Sequence, residues 1–341
     1  MQDTPSNAQA GTAPLPASNA TLIQTANQWV QQGKSVAIAM VMETWGSSPR
    51  PEGSLLVMTA DGEMEGSVSG GCVEMAVFHA AAESLSSGKG QRLEYGVADS
   101  TAWQVGLSCG GRIAILLTPV SSTGLPAASL ARLAAVTAAR QPAHLILDSQ
   151  SGAVLAEEAG AAQLPLSASS VQGGRFHLAV MPPPRLVIIG GVHISQLLAP
   201  LANTAGFDVV IIDPREHFAS AARFGSIPCI NDWPDIAIQQ LGLDEETAVV
   251  TLTHDAKLDD PALIAALQSP AFYIACLGSR RTHAARLQRL AENGVDTDSL
   301  ARLHGPAGLA IGARTPAEIA VSILAQMIGR RNLVVANGED G

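Results

Sequence analysis

Leu186-Val187-Ile188-Ile189-Gly190-Gly191-Val192-His193-Ile194 decides the fold. Four apolar residues, three of them β-branched, run into a double glycine, and the next stretch, 194–205, changes to helical spacing. A strand with no polar alternation is buried on both faces, which is the habit of a parallel sheet covered by helices. A second run, Asp208-Val209-Val210-Ile211-Ile212-Asp213, repeats the pattern and ends on an acid. Outward from there, 248–252 and 272–277 read as further strands, and 261–267, 282–291 and 316–328 as helices. Alternation of this kind predicts an α/β chain whose second half, 185–332, is a Rossmann-like, doubly wound parallel sheet, with 333–341 a tail.

The turn after the first strand departs from a dinucleotide fingerprint. Against Gly-x-Gly-x-x-Gly, Gly190 matches, while Val192 and Ser195 stand at the later glycine positions. A side chain at the second position crowds a pyrophosphate. Asp213 stands where an acid would grip a ribose hydroxyl, so Gly190, Gly191, His193 and Asp213 are expected to line a nucleotide-like cleft. Ser279-Arg280, after another strand, opens a helix and suits a phosphate. His193, His254 and His283 are singly placed and have no metal-ligand spacing.

Ahead of this half, Pro182-Pro183-Pro184 marks a stiff boundary. Residues 21–181 are expected to form a mixed α+β domain with a connector at 120–128. A helix over 22–32 leads to a buried strand over 35–42, and strands flanking Asp61-Gly62 make a hairpin. Short strands at 144–147, 153–156 and 175–180 are expected to complete the same sheet. The chemistry concentrates in Gly66-Ser67-Val68-Ser69-Gly70-Gly71-Cys72-Val73-Glu74, read as strand end, glycine turn and helix start. Amides of Gly70 and Gly71 and the Ser69 region would face an anion, with Cys72 in the first helical turn, where the dipole favours a thiolate. Ser47, Ser48 and Arg50 sit in a loop suited to phosphate. Cys109-Gly110-Gly111 repeats the pairing of cysteine with two glycines.

Hydrophobic residues make up 47% of the 341, charged residues 15% and aromatics 4%, with a net charge of −10. That balance describes globular domains and argues against a nucleic-acid surface. The four cysteines are far apart and suggest neither zinc nor a disulfide framework. Residues 1–20 read as a disordered tail without signal-peptide character, and no run is long enough to span a membrane, so a cytoplasmic location is expected.

Taken together, Gly46-Ser47-Ser48-Pro49-Arg50, the 66–74 stretch, Cys109-Gly110-Gly111, Gly190-Gly191-Val192-His193-Ile194, Leu277-Gly278-Ser279-Arg280-Arg281, 304–309 and Thr315-Pro316-Ala317-Glu318 resemble the xanthine dehydrogenase accessory protein (XdhC/CoxI) family. The resemblance implies an accessory protein rather than an enzyme. It would bind molybdenum cofactor, as molybdopterin or its cytosine dinucleotide form, and help insert it into a molybdenum hydroxylase. It further implies a cysteine desulfurase partner and a homodimer. Cys72, a soft thiolate at the glycine turn, is expected as a molybdenum ligand with Cys109 behind it. Two other readings compete: an NAD(P)-dependent oxidoreductase using the second half, and a sulfurtransferase carrying persulfide on Cys72 or Cys109.

Overall fold

The computed structural model describes residues 18–46, 50–71, 73–96, 111–159 and 169–339. Helix α1 (Asn19–Gln31) starts where the Ser18 hydroxyl accepts the Thr21 amide. It buries Leu22, Ile23, Ala26 and Trp29, one face of a helix. The expected tail therefore ends earlier than residue 20, because Ser18 is a good cap. β1 (Val36–Trp45), β2 (Leu55–Thr59) and β3 (Met64–Gly66) form an antiparallel meander. α2 (Glu74–Ser87) follows and stops at Gly88, which is left-handed with φ 72°. β4 (Gln91–Tyr95) and β5 (Arg112–Pro119) complete a five-stranded sheet in the order β3-β2-β1-β5-β4.

α3 (Ala127–Ala138) leads to β6 (Ala143–Asp148), β7 (Val154–Ala159), β8 (Ser170–Gln172) and β9 (Arg175–Val180). These strands do not finish the first sheet. Among the described residues they pair only with one another, in the order β7-β6-β9-β8, as a second antiparallel sheet. The physical reason is packing: Leu145, Leu147, Phe176 and Leu178 fill a core with α1, α3 and one face of the first sheet. The other face of the first sheet is covered by α2 through Val73, Val77 and Ala81.

The C-terminal half is the expected Rossmann-like domain. Its elements are β10 (Arg185–Ile189), α4 (His193–Thr204), β11 (Asp208–Ile212), α5 (Ala221–Phe224), β12 (Cys229–Ile230), α6 (Pro234–Leu241), β13 (Thr247–Thr251), α7 (Ala256–Leu267), β14 (Tyr273–Cys276), α8 (Arg280–Glu292), α9 (Thr297–Ala301), β15 (Leu303–His304) and α10 (Pro316–Glu339). All six strands are parallel, in the order β12-β11-β10-β13-β14-β15. The strand order reverses between β10 and β13, which makes a crevice beyond their carboxyl ends. Cores lie on both faces of the sheet, as the unbroken apolar strands require.

Two helices depart furthest from their expected bounds. α7 starts at Ala256 rather than at Pro261, because Asp255 caps it by accepting the Lys257 amide. α10 runs on to Glu339 through the segment expected as a tail.

Candidate functional site

The glycine turn is built from its strand outward. Gly66 has φ +90°, and a Cβ there would lie 2.3 Å from the Leu55 carbonyl oxygen, so the chain can leave β3 only as glycine. Val68 is fully buried and pins the turn to the α2 core. Gly70 and Gly71 then take φ 78° and 119°. The helix does not begin until Glu74, so the first turn expected to hold Cys72 lies after it. Cys72 itself, with Ser47, Ser48 and Cys109, lies outside the described residues.

The amides counted as open to a ligand anion are already occupied. Glu74 turns its carboxylate back into the loop. Oε1 accepts the Ser67 hydroxyl at 2.7 Å and the Val68 and Ser69 amides at 3.2 and 2.9 Å. Oε2 accepts the Ser69 hydroxyl and the Gly71 amide, the latter at 2.9 Å. The Gly70 amide donates to the Ser67 hydroxyl, and the Ser69 hydroxyl accepts the Val73 amide. Burial alone would raise the Glu74 pKa. The Ser69 and Ser67 hydroxyls and the Ser69 amide outweigh it and hold the carboxyl at about 2. Ser69, Gly70 and Gly71 thus form an anion cradle whose anion is the protein's own.

Other motifs gather at this end of the sheet. Arg50 donates from Nε to the Ser67 carbonyl at 3.1 Å. A Cβ on Gly46 would lie 3.5 Å from the Gly111 Cα, so the loops on either side of β1 and β5 touch. The Arg112 guanidinium stacks 5.0 Å over the Trp45 ring. Arg50 is half-buried and bound into the turn. Arg50→Ala is therefore expected to lower stability by about 1 kcal/mol as well as to weaken ligand retention. Urea denaturation beside a retention assay checks both.

The crevice of the Rossmann-like domain is also closed on itself. Asp213 is fully buried. Its Oδ2 accepts the Gly191 amide at 2.9 Å and Arg215 Nη2 at 2.7 Å, while Oδ1 accepts Arg215 N and Nε. Burial would raise its pKa, but these bonds from Arg215 and Gly191 lower it below the usual carboxylate range. These four donors match the carboxylate's ordinary lone-pair sites, so a ribose hydroxyl would compete with Arg215 for them. The ribose contact expected of Asp213 would share its oxygens with these internal partners.

Gly191 fares likewise: the Phe218 carbonyl oxygen stands 2.2 Å from where its Cβ would be, covering the turn. Arg223 Nη1 ties the Gly191 and Phe218 carbonyls together, and Arg215 stacks 4.0 Å over the Phe218 ring. Ser195 is buried, and its hydroxyl donates to the Gly190 carbonyl. His193 is exposed at the start of α4. Ser279 caps α8, accepting the Thr282 amide at 3.1 Å, with Arg280 exposed beside it.

Under the crevice floor, Arg286 Nη2 meets Asp259 Oδ2 at 3.2 Å, and the Thr253 hydroxyl donates to Asp259 Oδ1 at 2.7 Å. Cys276 lies 3.6 Å from His283 Nδ1. Burial pushes the thiols of Cys276 and of half-buried Cys229 up, so neither is a ready thiolate. Among the described residues no group of three His, Cys, Asp or Glu side chains could hold a metal ion. No helix there is long and apolar enough to cross a membrane.

The structure gathers Arg50 with the turn, and Gly190, Gly191 and Asp213 with one another, but it does not join the two groups. What joins the halves is elsewhere. Arg140, after α3, donates from Nε to Asp244 Oδ2 at 2.7 Å and lies 3.7 Å from Asp208. A cleft of about 420 Å³ runs beside it, lined by Gln24, Arg185, Asn203 and Asp208. Arg185 and Asp208 open β10 and β11, so this seam is at the amino ends of the parallel strands, opposite the crevice.

Glu74, Arg215, Phe218 and Arg140 escaped the sequence reading as site residues. The close spacing of Asp213 and Arg215 could have signalled an ion pair. Nothing local marks Arg140.

The geometry is that of a recognised family. The chain matches the model of the XdhC Rossmann domain over residues 186–327 and that of the XdhC and CoxI family over residues 29–96. It is 31% identical over 313 residues to an Escherichia coli (strain K12) protein named molybdenum cofactor insertion chaperone PaoD, covering 91% of this chain and 88% of that one. The chain belongs to the XdhC/CoxI family.

A second relative, from Bacillus subtilis (strain 168), is named as a probable xanthine dehydrogenase subunit. It is 25% identical over 333 residues, covering 89% of this chain and 96% of that one. A solved structure from Bacillus halodurans, described as a xanthine dehydrogenase, superposes with a TM-score of 0.71 at 26% identity. It covers 91% of this chain and 96% of that one. The XdhC/CoxI assignment thus spans both halves, and the fold and the family expected from the sequence are those found.

Proposed function

We propose that this XdhC/CoxI protein is a chaperone that holds molybdenum cofactor as cargo and helps insert it into a molybdenum hydroxylase of the xanthine or aldehyde dehydrogenase type. The observation that carries the reading is the likeness, over nine-tenths of the chain, to a protein named as a molybdenum cofactor insertion chaperone. The turn supports it by binding Arg50 to the Ser67–Gly71 loop, and Cys72, next in the sequence, is a soft ligand suited to molybdenum. Exposed His193, Ser279 and Arg280 would serve the phosphate-bearing end. A cysteine desulfurase partner and a cytoplasmic location belong to the same proposal. Whether the cargo is molybdopterin or its cytosine dinucleotide is decided by releasing and identifying the bound pterin.

The oxidoreductase reading loses ground at this turn: Val192 and Ser195 stand where a dinucleotide fingerprint has its second and third glycines, and a side chain at the second crowds the pyrophosphate. The test of the chaperone reading is Cys72→Ser. A hydroxyl matches the thiol in size but is a poor thiolate substitute. The variant is expected to fold and to lose about tenfold or more of its molybdenum, with the client accumulating in inactive form. Wild-type molybdenum content together with an active client would refute the role of Cys72.

A further inference from the structure

We propose that the cargo site is shared between two copies of the chain, with the glycine turn of one facing the Rossmann crevice of the other. The inference rests on the chaperone reading, which gives both regions to one ligand. In one chain they face apart. The turn opens α2, which covers one face of the first sheet, whereas α1 and α3 cover the opposite face. The C-terminal domain is attached on the α1 and α3 side, through Arg140 to Asp244 and Asp208. It is attached by the amino ends of its strands, and the crevice lies at their carboxyl ends.

A five-residue strand of ~16 Å and a sheet layer of ~10 Å therefore intervene. No hydrogen bond or ion pair among the described residues joins the turn to the crevice of the same chain.

Charge and apolar exposure identify the occupant as a second copy. At the turn's end the exposed charges are Glu52 and Glu65, with Glu94 paired to Arg92 and Arg112. At the crevice rim they are Lys257, Arg280 and Arg281 against Glu216 and Asp255, Arg215 being paired with the buried Asp213. The excess is acidic on one surface and basic on the other, in a chain whose net charge is −10. Each surface also exposes large apolar side chains: Met75 at 57% and Trp45 at 41% on the turn side, Ile311 at 57% and Leu309 at 46% in the loop following β15. Opposite charge with apolar contact is what a specific interface uses. A two-fold arrangement would satisfy both pairs of surfaces at once and build two shared sites.

The acidic, self-filled turn is also a poor seat for a phosphate. The cationic rim of the partner copy supplies what the turn lacks.

The test is complementation between copies. Arg50→Ala disables the turn and Arg280→Ala with Arg281→Ala disables the rim. Each variant alone is expected to lose about tenfold or more of its bound pterin. Co-expressed with different tags and purified through both, the mixed pair is expected to recover about half of the wild-type pterin, because one of two sites then has both parts intact. Sedimentation of the wild type should show a dimer that dissociates as salt is raised. A mixed pair as empty as its parents, a rim variant with wild-type pterin, or a monomeric wild type overturns the shared site. A wild type that carries no pterin defeats the chaperone reading instead, and the shared site falls with it.

Discussion

Replacing Glu74 with alanine is expected to undo the glycine turn and to empty the protein of cofactor. The Glu74 carboxylate gathers five donors: two serine hydroxyls and the amides of Val68, Ser69 and Gly71. Val68 and Ser69 are buried, so water does not reach their amides when the acceptor is removed. An unsatisfied buried amide costs about 1–3 kcal/mol, and the variant should lose about 2–4 kcal/mol of stability for the two amides left without a partner. Glu74→Gln keeps the length and one acceptor, so it should recover part of that loss. Glu74→Asp cannot reach the amides and should not.

The same carboxylate sets an acid limit. Its folded pKa is about 2 against an ordinary 4.5. A depressed carboxyl pKa contributes stability that is present above the ordinary value and lost as pH falls through the folded one. The contribution, about 2 kcal/mol after allowing for the solvent-facing part of the group, should fade between pH 4.5 and about 2. Denaturation of wild type and Glu74→Gln across that range should converge at its lower end. Parallel curves would show that Glu74 does not titrate with folding.

The second large effect is expected at the crevice floor. Asp259 and Arg286 are almost entirely buried and pair at 3.2 Å, with Asp260 3.9 Å from the Arg286 Nε. Asp259→Ala takes the nearer carboxylate from the buried guanidinium, leaving it only Asp260 at 3.9 Å, and strands the Thr253 hydroxyl that bonded to Asp259. Breaking such a pair from one side costs about 3–5 kcal/mol. Replacing both residues, as Asp259→Ala with Arg286→Met, removes the stranded charge and should restore much of the loss. Urea midpoints of the two single variants and the double variant give the coupling. Additive losses would mean that the pair does not act as a unit. The first sheet is remote from this pair, so the two halves should separate into distinct transitions if Arg140 and its contacts couple them weakly.

The sequence by itself determined the parallel domain. Leu186–Ile189 and Val209–Ile212 are unbroken apolar runs between glycine, proline and acid, and such runs fit only strands buried on both faces. Gly88 ended α2 where its left-handed φ requires glycine, and Asp61-Gly62 placed the hairpin. The order of motifs named the family. These features are local: spacing, propensity and the φ values that glycine alone tolerates.

Tertiary structure decided the rest. Whether β6 to β9 join the first sheet or form another depends on which core Leu145 and Phe176 fill, and strand pairing across a long separation leaves no periodic mark. Gly70 and Gly71 announced an anion-binding turn, but only the folded chain shows that Glu74 supplies the anion. Asp213 announced a ribose ligand, but Arg215 and Gly191 already hold its oxygens. In both cases the residue types were legible and their partners were not, because a carboxylate binds whichever donors the fold brings to it. The facing apart of turn and crevice is likewise a property of layers, fixed by Arg140 on one side of the first sheet and α2 on the other.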